Sequence, residues 1–170
     1  MHHLSDVIDD LRELTTGTTE EVTVTEFRGQ QRIVLPKSVL KDSFGRLRDN
    51  WGFDLMVDIT CVDYLNYRGA RNRFGLVYVL ASSGANTRLV LRVMLNEPDL
   101  SVVSAVPFWE GADWLEREVW DMFGICFEGH PNLQRILMPE EFTAHPLRKD
   151  YPLQGRGERH HFPTLTRSEA

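Results

Sequence analysis

Leu4, Val7, Ile8, Leu11 and Leu14 recur at three- and four-residue intervals, which places them on one face of a predicted helix over residues 4–14. Ser5 is a candidate N-cap there and Gly17 a stop. Residues 22–27 set Val22 and Val24 against Thr23 and Thr25, with Phe27 out of step, and read as a strand. Gly29-Gln30 is a turn candidate before a second short strand at Ile33-Val34-Leu35. Pro36 opens a predicted helix over residues 38–50, with Val39, Leu40, Phe44 and Leu47 along one face. Gly45 weakens that helix by about 1 kcal/mol relative to Ala.

Residues 54–64, 74–81 and 87–95 are runs of Val, Ile, Leu and aromatics. The links between them are short, polar and contain Gly, which suits antiparallel hairpins; a parallel crossover needs about a dozen residues or more. Asn96-Glu97-Pro98-Asp99 ends the sheet, and a short helix over residues 100–105 is expected to cover one face of it. A further helix is expected over residues 109–123. Leu115, Val119, Met122 and Phe123 form its apolar stripe. Glu116, Arg117, Glu118 and Asp121 occupy its other face, where Arg117 and Asp121 can pair across one turn. Gly124 is a natural stop.

Beyond Gly124 periodicity fades. His130-Pro131, Met138-Pro139, His145-Pro146 and Tyr151-Pro152 interrupt the chain, and each residue before a proline is driven toward extended geometry. In the last segment Tyr151, Leu153, Phe162 and Leu165 share no period. The division expected is an α+β domain over residues 1–150 and an extended C-terminal arm over residues 151–170. The chain is expected to leave the domain body from about His145 and to lie across a partner. The fold class is α+β: a mixed, mainly antiparallel sheet with helices packed on it, plus that arm.

The chain has 170 residues, 42% hydrophobic and 26% charged, which suits one globular domain. Its net charge of −6 argues against nucleic-acid binding. No apolar run approaches the roughly 20 residues of a transmembrane helix, and the start lacks the apolar core of a signal peptide. The chain is therefore expected to stay where it is made. Cys61 and Cys126 stand far apart, too few for a disulfide framework or an iron–sulfur cluster. Neither G-x-G-x-x-G nor the Walker loop is present.

The acidic helix face has two readings. Glu116, Glu118 and Asp121 beside Arg117 could be catalytic, but solvated or ion-paired helix faces are the commoner case. Trp109, Trp114 and Trp120 crowd the same region, and Trp114 and Trp120 lie partly outside the core stripe, which favours a helix shared with a partner. The six histidines lack metal-ligand spacing, so His130 and His145 read as loop or interface hydrogen-bonders. Cys126, between Ile125 and Phe127, reads as a buried small apolar residue. His160-His161 with Arg156 and Arg159 form a small basic patch suited to an acidic partner or phospholipid heads.

The run from Trp114 to Ile125 is specific: Trp-Leu-Glu-Arg-Glu-Val-Trp-Asp-Met-Phe-Gly-Ile. Phe127 to Pro131, Arg135 to Pro139, and His145-Pro146-Leu147-Arg148-Lys149-Asp150-Tyr151-Pro152 follow. Together these resemble the 30 kDa subunit family, lettered C, of respiratory complex I, the NADH:quinone oxidoreductase. Glu116 through His130 meets every position of the family pattern; Gln134 departs from it, with Arg135 adjacent. The resemblance is densest over residues 109–153.

It implies a structural, cofactor-free subunit of the peripheral arm, beside the quinone-site and the cluster-bearing subunits, lettered D and B. FMN, iron–sulfur clusters and quinone would sit in partner subunits. Membrane association would come through those partners, on the cytoplasmic side of the inner membrane in a bacterium. The enzyme would be the whole complex, with this chain non-catalytic. The candidate signature and interface residues are Glu116, Arg117, Glu118, Asp121, His130, Arg135, His145, Arg148, Lys149, Asp150 and Tyr151. Related subunits occur in membrane-bound hydrogenases, F420H2 dehydrogenases and the photosynthetic NDH complex, which is the first alternative. A free-standing enzyme using the Glu116, Glu118 and Asp121 carboxylates and a soluble adaptor are the others.

Overall fold

The computed structural model describes residues 4–17, 19–28 and 30–158. Helix α1 (Leu4–Glu13) buries Val7, Ile8 and Leu11, as its spacing requires. Strands β1 (Thr23–Phe27) and β2 (Gln30–Leu35) form an antiparallel hairpin. The segment after Pro36 changes pitch twice. A 3-10 turn at Lys37–Val39 leads into α2 (Leu40–Gly45), and Arg46–Asn50 widens to π spacing beyond Gly45. That wide turn still satisfies its backbone, with Trp51 N donating to Arg46 O at 3.2 Å.

Strands β3 (Leu55–Asp63), β4 (Phe74–Ser82) and β5 (Thr87–Leu95) form the predicted antiparallel meander. The sheet order is β1-β2-β5-β4-β3, with β2 and β5 parallel. One face carries Ile59, Leu76, Tyr78, Leu91, Val93, Ile33 and Leu35, all buried beneath the helices. Phe44 of α2 meets Tyr78 edge-on, with ring centroids 5.2 Å apart.

The expected helix over residues 100–105 is instead strand β6 (Ser101–Val103), paired in parallel with β7 (Cys126–Glu128). Two β-branched valines favour an extended backbone, and the partner strand arrives only after an intervening helix, out of reach of local periodicity. That pairing also corrects Cys126. Phe127 turns into the core, so its neighbours Cys126 and Glu128 turn out and are exposed. Cys61 is buried, and burial pushes its thiol up to about 12.

Helix α3 (Ala112–Phe123) starts later than expected, because Trp109 lies in the turn before it and donates its indole N–H to Phe53 O at 2.9 Å. Val119, Met122 and Phe123 are buried, and Leu115 packs partly buried against the same core. The His160-His161 patch lies outside the described residues, as do Arg159, Phe162 and Leu165.

Candidate functional site

A helix leaves its last four carbonyls without intrahelical donors. At the end of α3 all four are met. Trp120 O accepts from Gly124 N at 2.8 Å, and Met122 O accepts from Leu147 N at 3.1 Å. Asp121 O accepts from His145 Nδ1 at 3.0 Å, and Phe123 O accepts from Arg148 Nε at 2.5 Å. A carbonyl only accepts, so His145 carries its proton on Nδ1. Burial pushes the His145 imidazole below its usual range, which keeps the ring neutral at pH 7. The cations Arg135 and Arg148 stand at the negative end of the helix dipole. The His145–Arg148 stretch is thus the cap of α3.

Gly124 makes the cap fit. Its φ is +76°, the left-handed conformation of a helix stop. A Cβ there would meet the His145 ring at 2.6 Å and Arg148 Nη2 at 2.8 Å. No other residue combines that backbone with that clearance.

Asp121 fastens the preceding loop. Its side chain is fully buried. One carboxylate oxygen accepts from the backbone N–H of Ile136, Leu137 and Met138 at 3.1, 2.8 and 2.9 Å; the other pairs with Arg135. Burial pushes the carboxyl up, but the three N–H groups and the guanidinium outweigh it and hold it below the usual carboxylate range. Arg135 also donates to Ala144 O at 3.1 Å and lies over the rings of Trp120 and Phe142. Arg117 donates to Gln134 O and Arg135 O at 3.2 and 3.1 Å, with its guanidinium over Trp114. The expected Arg117–Asp121 pair is therefore replaced: the acid takes Arg135 and the arginine takes carbonyls.

Glu116 turns the opposite way, into the core. It is fully buried and accepts from Ser104 Oγ and Ala105 N, both at 2.6 Å. Burial pushes its carboxyl up to about 7, against those two hydrogen bonds. Glu116, Arg117 and Asp121 are also expected to form one hydrogen-bonded cluster with the loop after Gly124 or with a partner; Asp121 and Arg117 do bind that loop, Glu116 instead bonds Ser104 and Ala105, and Glu118 is exposed. His130 closes the other end of α3. Asn132 N donates to its Nδ1 at 3.0 Å, so Nε2 carries the proton and donates to Asp113 O at 3.2 Å.

The expected departure of the chain at His145 is corrected too, because residues 145–150 are bound to the body. Besides the cap, Lys149 N donates to Asp63 at 2.8 Å, and Asp150 pairs with Arg73 at 2.8 Å. Arg73 also reaches Glu97 at 2.8 Å and Asp63 at 3.4 Å, and Arg148 reaches Glu97 at 3.1 Å. Both guanidinium groups lie against Phe74. Tyr151 donates its hydroxyl to Glu158 at 2.9 Å and meets the Phe142 ring. Asp63, Arg73, Glu97 and Ser104 belong to these networks without having been foreseen. Lys149 and Asp63 are 86 positions apart, and no local spacing connects them.

Four large apolar side chains are exposed in this part of the chain. They are Trp114, Leu137, Leu147 and Leu153, with Leu153 wholly in solvent. Among the described residues no group of three or more His, Cys, Asp or Glu could hold a metal ion. Among them no helix is long and apolar enough to cross a membrane.

The chain is similar to known proteins. Residues 33–157 match the family described as the respiratory-chain NADH dehydrogenase 30 Kd subunit. The NADH-quinone oxidoreductase C subunit of Citrifermentans bemidjiense is 46% identical over 131 residues, covering 77% of this chain and 80% of that one. NADH-quinone oxidoreductase subunit 5 of Thermus thermophilus is 43% identical, covering 74% of this chain and 63% of that one. A solved trypsin-resistant fragment of Nqo5 superposes with a TM-score of 0.68 at 34% identity, covering 76% of this chain and 98% of the fragment. A chain of an archaeal membrane-bound sulfane sulfur reductase shares the fold, with a TM-score of 0.66 at 23% identity. Glu116 to Tyr151, the stretch that fastens the loops to α3, lies within the matched region, and the chain belongs to the 30 kDa subunit family of the respiratory-chain NADH dehydrogenase.

Proposed function

We propose that this chain is a cofactor-free scaffold of the peripheral arm of a proton-translocating NADH:quinone oxidoreductase. Its role is to hold the quinone-site and the cluster-bearing subunits in register, on the cytoplasmic side of the membrane. FMN, iron–sulfur clusters and quinone belong to those partners. The observation that carries this reading is how the signature is used. Its buried carboxylates Glu116 and Asp121 accept hydrogen bonds within the fold, and Arg117, Arg135, His145 and Arg148 fasten loops. A catalytic carboxylate must reach a substrate; these reach backbone amides, a serine and an arginine. Among the residues it turns outward are four large apolar side chains, Trp114, Leu137, Leu147 and Leu153. The segment from Tyr151 onward is the docking arm of this scaffold, laid against the quinone-site subunit.

The test is affinity purification of the tagged chain from detergent-solubilised membranes, with mass spectrometry of the subunits that accompany it. The scaffold reading expects the quinone-site and cluster-bearing subunits together and no flavin or metal in the isolated chain. A chain that purifies alone, or that carries stoichiometric iron, zinc or flavin by itself, contradicts it.

A further inference from the structure

The helices cover one face of the five-stranded sheet. Strand register puts Val34, Val62, Val77, Val79, Val90 and Met94 on the other, and none of them joins the core cluster beneath the helices. A sheet face this rich in valine normally packs against another layer. Three arginines share it: Arg32 beside Val90, Arg92 opposite Val77 and Arg88 opposite Ala81. Among the described residues none of the three lies in an ion pair, and all three share this one face. Arg92 reaches the Tyr64 hydroxyl only at 3.5 Å, and its buried Nε has no acceptor. Arg32 rests over the exposed Phe27 ring. Asp58, on the edge strand opposite Val79, is the acid on this face. A chain with a net charge of −6 thus sets three cations and one acid on a valine surface.

At one end the face runs into a groove of about 790 Å³ beside α1, lined by Leu4, Ile8, Gln31, Val79, Arg88 and Val90.

We propose that this face is a second docking surface, taken by a partner protein whose contact strip is apolar at its centre and carries carboxylates that meet Arg32, Arg88 and Arg92. A carboxylate accepts both N–H groups of a guanidinium fork. Short valines, with Val34, Val79 and Val90 half-buried, also suit a packed protein layer better than insertion into a bilayer. The proposal rests on the scaffold reading only for the existence of a multi-subunit assembly, and it uses none of the residues around α3.

The test uses the full chain with Cys126→Ser and Val79→Cys, labelled with a maleimide alone and within the solubilised complex. Labelling should slow at least about tenfold in the complex, because an interface core excludes water. Equal labelling overturns the proposal while leaving the scaffold reading in place. A benzophenone cross-linker at Val90 should capture an acidic stretch of another subunit. Adducts confined to lipid, to this chain itself or to a second copy overturn it. Arg32→Glu with Arg92→Glu should cut co-purification about tenfold, with the two lysine replacements within about threefold of wild type. Co-purification undiminished by the glutamate pair overturns the proposal; if that pair does not fold, the labelling comparison decides alone. A wild-type chain that purifies alone removes both readings.

Discussion

Gly124 meets two demands at once, a left-handed backbone and room for the His145 ring and Arg148. Gly124→Ala should cost about 2–4 kcal/mol, since strain at a positive φ adds to a displaced cap. Urea unfolding checks it, and a change below about 0.5 kcal/mol would show that the cap yields freely. Glu116 makes a different prediction. Its folded carboxyl titrates at about 7, above the 4.5 of the free group. The stability it contributes is therefore full below about pH 4.5 and is lost as pH rises through about 7, on the order of 3 kcal/mol. Glu116→Gln should remove that loss, so wild type and variant should diverge between about pH 5 and 8 in unfolding experiments. Parallel pH profiles would contradict the buried placement. Asp121 has the opposite sign. Its carboxyl lies below its free value of 3.8, so its contribution is present above that value and disappears only in acid. Asp121→Ala strands Arg135 and three loop amides and should cost about 3–5 kcal/mol.

Secondary structure was readable where contacts are local. The β3–β4–β5 meander follows from alternation and short glycine-bearing links, and α1 and α3 from their apolar stripes. The parallel pairings β2–β5 and β6–β7 are not local, and neither leaves a mark in the intervening sequence. The signature was legible as a pattern but not as geometry. Spacing alone suggests that Arg117 meets Asp121 across a turn, yet the loop that returns after Gly124 competes for both and wins. Arg148 shows the dependence between elements. It joins the last carbonyl of α3 to Glu97 at the end of the sheet. Arg148→Ala should lower stability by about 1–3 kcal/mol and lead to faster amide exchange in the last turn of α3. Exchange there at the wild-type rate would mean that the cap rests on His145 and Leu147 alone.

The whole molecule joins a core to a loop-rich C-terminal stretch that has little core of its own. Residues 145–150 are tied to α3, β3 and Arg73, while Tyr151 turns to Phe142 and Glu158. Removing the chain from Tyr151 onward should therefore leave the domain folded, with a loss within about 1–2 kcal/mol for the Tyr151 contacts. The same truncation should impair assembly if the arm docks on a partner. The central claim is that the α3 fastening exists to present a contact surface. The most direct measurement is the subunit composition of the complex purified through this chain when Leu137→Ser and Leu147→Ser are introduced together. Both side chains are exposed, so the isolated variant should melt like wild type. The account predicts that this folded variant no longer brings down the quinone-site and cluster-bearing subunits. Recovery of both at the wild-type ratio would contradict it.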